Sequence, residues 1–275
     1  MTEVVDAAAT DWLSRYERFD VVGSSNDVVA GWLREGTPEV CVAITDVQTS
    51  GRGRHQRAWE APPGTALLAS VGFRPTWLQP EHAWRLSAIV TLTMAEACEV
   101  AAGLPVGTVQ LKWPNDLVAI DARSGDVLKL AGVLGETDGL GTEDARAVIG
   151  IGVNAEWKPE DFPKGLATTM TSLVELAPGQ LIDREVILHV FLDNLRDAVS
   201  TLRDGTFPSE QWRWRQLTNG VAVRLEWPDG TSETVSAVDV DAESGALIVG
   251  ELGGGGPQRP VLAGEIQHLR LGGIV

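Results

Sequence analysis

The pattern of the chain changes near residues 217–219, and this change constrains the architecture more than any other feature. Through Arg203, short apolar runs alternate with longer segments of helical spacing. From Gly220 onward there are only short alternating runs separated by turn residues, a pattern typical of a small barrel of about five strands. We therefore predict an α+β protein with a larger domain at residues 1–216 and a small β-barrel domain at residues 217–275.

The larger domain is predicted to contain a mixed β-sheet flanked by helices. Its predicted strands are residues 18–22, 39–45, 66–73, 108–112, 127–135 and 146–153. Its predicted helices are residues 26–34, a long helix from Pro80 to Gly103, residues 183–203 and residues 208–216. The five barrel strands are predicted in the runs VAVRLEW, ETVSAVDV, ALIVG, RPVLA and IQHLRL.

Charge and composition narrow the possible functions. The net charge is −16, which disfavours binding to the phosphate backbone of nucleic acids. No uninterrupted apolar run approaches the roughly 18 residues of a membrane span. The amino-terminal segment carries acids where a signal peptide requires basic residues. Cys41 and Cys98 form no CxxC pair, which favours buried thiols in a reducing compartment. We expect a cytoplasmic protein that binds neither DNA nor a membrane.

One short segment opposes the acidic trend. Residues 51–57 read GRGRHQR, with three arginines and no acid. Guanidinium groups recognise carboxylates and phosphates through several donors, and the glycines allow the backbone to approach a ligand. A solvated basic loop is the alternative, but the interleaved glycines in an acidic chain favour a local anion site.

A second segment, KWPND at residues 112–116, follows a predicted strand. Lys112 ends that strand, and Pro114-Asn115-Asp116 is predicted to form the turn. A lysine at a strand end can attract a carboxylate or phosphate, and a carboxylate a few residues later can hold a metal ion. Taken alone, such a lysine is more often solvated than catalytic.

Three further segments are ambiguous when each is taken alone. LKLAGVLGE (128–136) and IGIGVNA (149–155) place glycines inside strands, which often marks a close backbone approach. Neither segment fits the dinucleotide fingerprint or the phosphate loop of common nucleotide-binding proteins. Asn154 is equally consistent with a ligand contact and with a turn. In GSSND (23–27), helix capping by Ser24 or Ser25 is a sufficient explanation.

In combination these segments are specific. The chain contains, in order, SSN, Q-x-x-GRGR-x-x-R-x-W, KWPND, K-L-A-G-x-L-x-E and G-I-G-x-N, and over most of residues 18–216 it resembles the biotin protein ligases. The resemblance implies the class II synthetase-like biotin/lipoate ligase fold, with a small carboxyl-terminal SH3-like barrel. Members that also repress transcription carry an amino-terminal DNA-binding domain. Only about 17 residues precede the first predicted strand here, so we expect no such domain.

The resemblance also implies a reaction. ATP and biotin are the substrates, with Mg²⁺, and they give biotinyl-5′-AMP and diphosphate. The biotinyl group then passes to a lysine of a biotin carboxyl carrier domain of a biotin-dependent carboxylase. The enzyme is expected as a monomer or a homodimer. A lipoate or octanoate ligase and a non-catalytic biotin or adenylate sensor are the alternatives.

Residue roles carry over from the resemblance onto matching positions. The implied catalytic residues are Lys112 and Arg54. The implied biotin-binding residues are Ser24, Ser25, Asn26, Gln48, Arg52, Gly53, Arg54 and Lys112. The implied nucleotide-binding residues are Arg54, Arg57, Trp59, Lys112, Asn115 and Asn154, and Asp116 is the candidate metal ligand. The chain departs from the family pattern at Gln56, where glycine is usual, at Ser25, where threonine is usual, and at Asp27, which adds a charge.

Overall fold

The computed structural model describes residues 10–227, 230–254, 256–262 and 268–271, and the side chains of Gln56 and of residues 268–271 lie outside this description. Its larger sheet has seven strands in the order β1-β2-β3-β7-β6-β5-β4. These strands are β1 (Arg15–Val22), β2 (Cys41–Gln48), β3 (Ala66–Phe73), β4 (Gln110–Lys112), β5 (Asp116–Ile120), β6 (Val127–Asp138) and β7 (Arg146–Asn154). The pairing of β1 with β2 is parallel and all other pairings are antiparallel, so the sheet is mixed, as predicted.

Five α-helices accompany this sheet in the described part of the chain. They are α1 (Ser25–Arg34), α2 (Trp84–Ala102), α3 (Leu173–Leu176), α4 (Arg184–Arg203) and α5 (Ser209–Trp214). Single 3₁₀ turns occur at Arg54–Gln56, Pro80–His82 and Pro159–Asp161. None of the described helices is both long and apolar enough to cross a membrane.

Helices cover both faces of the large sheet. On one face, Val29, Trp32 and Leu33 of α1 pack against Cys41 and the neighbouring strands. The buried stripes of α2 and α4 belong to a second cluster that includes the apolar residues of β3 at alternate positions. Successive strand residues point to opposite faces, so this division follows from the alternation along the strand. Every residue of β3 is buried, which explains why its sequence is apolar apart from Ser70.

A buried ion pair fixes the strand that carries Lys112. The Arg215 guanidinium donates to both carboxylate oxygens of Glu99, each at 2.9 Å, and also to the Val109 carbonyl at 2.8 Å. Leu111 then exchanges backbone hydrogen bonds with the segment that follows α5, through Arg215 O and Leu217 N. The pair therefore connects α2 with the residue just before β4, and loss of either partner would leave an uncompensated buried charge.

The carboxyl-terminal strands form a second sheet. β8 (Val221–Glu226), β9 (Ser232–Val240), β10 (Leu247–Gly250), β11 (Arg259–Val261) and β12 (His268–Leu271) are all antiparallel, in the order β11-β10-β9-β8-β12. All five predicted runs therefore contain strands. Among the strands described, no pairing joins β11 to β12, so an antiparallel sheet is present and its closure into a barrel stays a prediction.

Most predicted elements are confirmed, but the short helix α3 and the strand β5 were not predicted. The strand at residues 66–73 has its predicted bounds, and α2 ends at Gly103, whose φ of 62° is the left-handed conformation that favours glycine. Neither length nor alternation indicates β5, because its five residues directly follow the turn at Asn115. The division between residues 1–216 and 217–275 stays a prediction.

Candidate active site

A cavity of about 1180 Å³ gathers nearly all the residues singled out from the sequence. Its walls come from the start of α1, the arginine-rich loop, the β4–β5 turn, strands β6 and β7, and residues between 157 and 170. The predicted residues that line it are Ser24, Ser25, Asn26, Gln48, Arg52, Gly53, Arg54, Arg57, Trp59, Lys112, Asn115 and Asp116. Segments far apart in sequence are therefore parts of one site.

Asn154 is the predicted site residue that does not line the cavity. It is fully buried at the end of β7, and its Nδ2 donates to the Thr171 carbonyl at 3.0 Å. This bond ties β7 to the segment before α3. The geometry therefore gives Asn154 a structural contact and does not place it against a nucleotide in the cavity.

Four neutral polar side chains form the base of the cavity and its support, which we call the floor: Ser25, Asn26, Gln48 and Ser70. Gln48 Oε1 accepts from the Ser25 backbone N–H at 2.9 Å and from its hydroxyl at 3.2 Å. The Ser70 hydroxyl lies 2.6 Å from Asn26 Oδ1 and 2.7 Å from Ser25 Oγ. Ser25, Asn26 and Ser70 are buried, so these bonds fix the side chains before any ligand arrives.

The serines at the start of α1 do not act as helix caps. Ser24 occupies the N-cap position, but its side chain makes no capping hydrogen bond. The Ser25 hydroxyl instead points to Gln48. The capping explanation, sufficient from the sequence alone, is therefore wrong.

Glycines in β7 make room for the floor and for Trp59. A Cβ atom at Gly150 would lie 2.2 Å from Asn26 Oδ1, and one at Gly152 would lie 2.6 Å from the Trp59 indole nitrogen. Real Cβ atoms do not approach other atoms so closely. The glycines of IGIGVNA thus mark a close approach to the backbone, as the sequence indicated.

The arginine loop, residues 51–57, forms part of the cavity wall. Arg52 forms a β-bridge with Ala58, and His55 has a φ of 57°, in the left-handed region. Burial lowers the pKa of Arg54 below its usual value, and the Asp116 carboxylate partly offsets this effect. A guanidinium that is desolvated in this way is stabilised when an anion enters.

The described cavity wall carries a local excess of positive charge. Five of its residues are arginine or lysine and three are aspartate or glutamate, in a chain with a net charge of −16. The basic residues, which together we call the mouth of the cavity, are Arg52, Arg54, Arg57, Lys112 and Lys129. The site therefore suits a small anion, whereas the protein as a whole repels long polyanions.

Arg52 is held by two carboxylates that the sequence reasoning did not assign. Its guanidinium donates to both oxygens of Asp27, at 2.6 and 2.9 Å, and to both oxygens of Glu136, at 3.1 and 3.2 Å. Glu136 Oε2 also accepts from Asn26 Nδ2 at 2.6 Å. Glu136 is the last residue of the KLAGVLGE motif, which was the available signal, and Asp27 was noted only as an added charge.

Lys129 is a second residue that the sequence reasoning missed. Its Nζ lies 2.7 Å from Asp116 Oδ1 and 5.3 Å from the centre of the Trp59 ring. Lys112 is paired with Asp116 across β4 and β5, so this carboxylate lies between two lysine-bearing strands. Lys129 is the first residue of the K-L-A-G motif, and its position on a cavity strand could have suggested a role.

The donor set fits a metal ion that is held mainly by substrate phosphates. Mg²⁺ in phosphate-transfer sites needs only one or two protein carboxylates. No group of three His, Cys, Asp or Glu side chains suited to a metal occurs among the described residues. Asp116 supplies one carboxylate at the cavity wall, and Asn115 beside it donates through Nδ2 to the Val133 carbonyl at 2.8 Å.

Comparison with known proteins assigns the chain to a family. Residues 19–154 match the model of the biotin/lipoate A/B protein ligase family. The biotin–[acetyl-CoA-carboxylase] ligase of Mycobacterium tuberculosis is 34% identical over 263 residues, covering 94% of this chain and 91% of that protein. The chain belongs to the biotin/lipoate protein ligase family. The resemblance predicted from the ordered motifs is confirmed.

Two further family members extend this result. The bifunctional ligase/repressor BirA of Bacillus subtilis is 32% identical, with 83% of this chain and 67% of that protein covered. The structure of biotin protein ligase from Aquifex aeolicus in complex with biotin and ATP has a TM-score of 0.75. It covers 94% of this chain and 99% of that chain at 24% identity, and it establishes the shared fold.

In this family member the cavity combines two chemical environments. The floor is neutral, buried and hydrogen-bonded, whereas the mouth is positively charged. A ligand with a neutral polar ring at one end and an anionic group at the other matches both environments at once.

Proposed function

We propose that this protein activates biotin with ATP to biotinyl-5′-AMP and transfers the biotinyl group to a lysine of a biotin carboxyl carrier domain. The observation that carries the proposal is the neutral polar floor beside a positively charged mouth in one cavity. The named relatives support it, because the Mycobacterium tuberculosis protein is a biotin–[acetyl-CoA-carboxylase] ligase.

The floor favours biotin over lipoate. The ureido group of biotin has a carbonyl acceptor and two N–H donors, whereas the dithiolane ring of lipoate has neither. A buried polar group without a partner costs about 1–3 kcal/mol. Lipoate bound on Ser25, Asn26 and Gln48 would leave their polar atoms less well satisfied. Ser24, Arg52 and Gly53 complete the proposed biotin site.

In the first step a carboxylate oxygen of biotin attacks the α-phosphorus of ATP. A mixed carboxylic–phosphoric anhydride forms and the bond to diphosphate breaks. Lys112 and Arg54 are the proposed catalytic residues, because both line the cavity and negative charge accumulates on the phosphoryl oxygens as the bond forms. Lys129 adds a third cation on the adjoining strand.

Arg57, Trp59 and Asn115 are the proposed contacts to the nucleotide, and all three line the cavity. Asp116 is the proposed protein ligand of Mg²⁺, with Asn115 beside it. When bound, the metal ion neutralises part of the triphosphate charge.

In the second step the carrier lysine, as a neutral amine, attacks the acyl carbon. An amide bond forms, AMP leaves and the amine loses a proton. The anhydride hydrolyses in water, so the arginine loop must exclude solvent until the carrier domain arrives.

The same proposal covers the setting of the reaction. The protein acts in the cytoplasm, as a monomer or a homodimer, with residues 217–275 as a separate small domain. Its net charge of −16 disfavours DNA binding. A salt-sensitive gel shift on operator-like DNA would contradict that part of the proposal.

The test combines the purified protein, biotin, ATP, Mg²⁺ and a purified carrier domain. Intact-mass measurement should show one biotinyl group on the carrier, and none when its acceptor lysine is changed to arginine. Modification with lipoate in place of biotin would favour a lipoate ligase. Tight biotin binding with no adenylate would indicate a sensor.

A further inference from the structure

We propose that Asp27 and Glu136 form a carboxylate clamp on Arg52, and that this clamp holds the arginine loop closed over the cavity. Asp27 is then a positioning residue, and the Arg52 side chain holds the loop in addition to its place in the proposed biotin site. Arg54 is the arginine of the loop with a proposed catalytic role. The effect on the reaction intermediate rests on the proposed function, whereas the effect on loop closure does not.

The geometry of the clamp is specific. The Arg52–Asp27 contact is bidentate, the arrangement that matches the planar fork of guanidinium to a carboxylate. Glu136 takes the same guanidinium, with its Oε1 3.1 Å from Nη2 and 3.4 Å from Nε. The hydrogen bond from Arg52 lowers the pKa of Asp27, so Asp27 is ionised at neutral pH.

The clamp joins three separate parts of the fold. Asp27 lies in the first turn of α1, Glu136 near the end of β6, and Arg52 in the arginine loop. Other described contacts of the loop backbone are local, such as Gly53 N to Arg57 O at 2.8 Å. These local bonds shape the loop, whereas the clamp ties it to two walls of the cavity.

The clamp also connects the loop to the floor. Glu136 Oε2 accepts from Asn26 Nδ2, and Asn26 Oδ1 contacts the Ser70 hydroxyl. Asn26 is adjacent to Asp27 in α1. A ligand that contacts the already ordered Asn26 therefore contacts a group that is hydrogen-bonded to Glu136, one of the two carboxylates that hold Arg52, so the pocket and the loop share one network of hydrogen bonds.

The experiment compares Asp27→Asn, Asp27→Glu and the control Asp20→Asn in the full-length protein. Asp20 is an exposed aspartate of β1 outside the clamp. Without ligands, limited trypsin digestion followed by mass spectrometry measures cleavage after Arg54 and Arg57. We expect Asp27→Asn to be cleaved about two- to fivefold faster than wild type, the range for a partly exposed ion pair. Asp27→Glu should restore part of the protection, and the control should match wild type.

A double-mutant cycle removes the ambiguity of a general structural effect. In an Arg52→Ala background, Asp27→Asn should cause no further acceleration of cleavage. An equal acceleration with and without Arg52, or equal cleavage of Asp27→Asn and Asp20→Asn, would overturn the clamp.

A second measurement follows the loss of radiolabelled acyl-adenylate from pre-loaded protein. Asp27→Asn should lose it about two- to fivefold faster than Asp20→Asn, by the same ion-pair estimate. If wild type forms no adenylate while the cleavage difference persists, the proposed function fails and the clamp stands. If all variants form adenylate and lose it at equal rates, the clamp fails and the proposed function stands.

Discussion

The floor and the arginine loop lie on the same cavity but are stabilised in different ways. In the floor, Ser25, Asn26 and Ser70 are buried and neutral, and each already has hydrogen-bond partners. The loop is more exposed and is held by ion pairs such as Arg52 with Asp27. Under the proposed function, the difference indicates that the site for the ureido ring of biotin is preorganised. Retention of the charged biotinyl-5′-AMP depends instead on closure of the loop.

If the basic residues of the mouth catalyse adenylation, Lys112→Ala should have the largest effect of the substitutions considered. Removing a charge aimed at the reacting phosphoryl group should reduce biotin-dependent ATP–diphosphate exchange about 100- to 1000-fold, as for an oxyanion donor. The KM for biotin should change much less. Lys158→Ala, an exposed lysine, is the control. Wild-type exchange by the Lys112→Ala protein would contradict the proposed catalytic role of Lys112.

Arg54→Ala should loosen retention of the intermediate. Loss of charged hydrogen bonds costs about 1.5–3 kcal/mol, or roughly 10- to 100-fold in the dissociation rate of the adenylate. Release is measured by filter binding of pre-loaded protein, with Arg34→Ala on the exposed end of α1 as the control. An unchanged release rate of the adenylate together with a raised KM for biotin would mean that Arg54 contributes to biotin binding and not to retention of the intermediate.

Gly150→Ala tests the floor by displacing Asn26. The new methyl group cannot occupy a position 2.2 Å from Asn26 Oδ1, so the amide must move. Overpacking costs about 1–3 kcal/mol, and we expect biotin to bind at least about fivefold more weakly by calorimetry. Gly31→Ala in α1 meets no atom within 4 Å and should bind biotin normally. Normal binding by Gly150→Ala would show that the floor is not preorganised.

Ser70→Ala should have the smallest effect. It removes a hydroxyl that contacts Ser25 and Asn26 but lies behind them, at a cost of about 1 kcal/mol, or roughly fivefold in the KM for biotin. The kcat and the adenylate release rate should stay near wild type. Ser200→Ala on the exposed face of α4 is the control. If Ser70→Ala changed only the release rate of the adenylate, Ser70 would act on the arginine loop. That result would contradict the distinction between the floor and the loop.

The sequence predicted the local elements and the residue types of the site better than it predicted their partners. Ser25, Gln48, Lys112 and the arginine loop were all singled out, because motifs of polar and glycine residues mark them. Ser70 gave no signal, since one serine inside an apolar strand does not reveal that its register places it behind Asn26.

Tertiary contacts also decided points that the local sequence left open. Asn154 ends its strand as predicted and its amide donates to the Thr171 carbonyl, whereas its contact with a nucleotide stays a prediction. The helix-cap explanation for Ser24 and Ser25 rested on local geometry, and the Gln48 contact decided against it. The strand β5 is only five residues long and follows a turn, so neither length nor alternation identified it.

The central claim is that this cavity activates biotin. The most direct measurement is ATP–diphosphate exchange by the purified protein with biotin, lipoate or no acid. We predict exchange with biotin that exceeds both other reactions and is lost in Lys112→Ala. Exchange that depends on lipoate and not on biotin, or no exchange with either acid, would contradict the account.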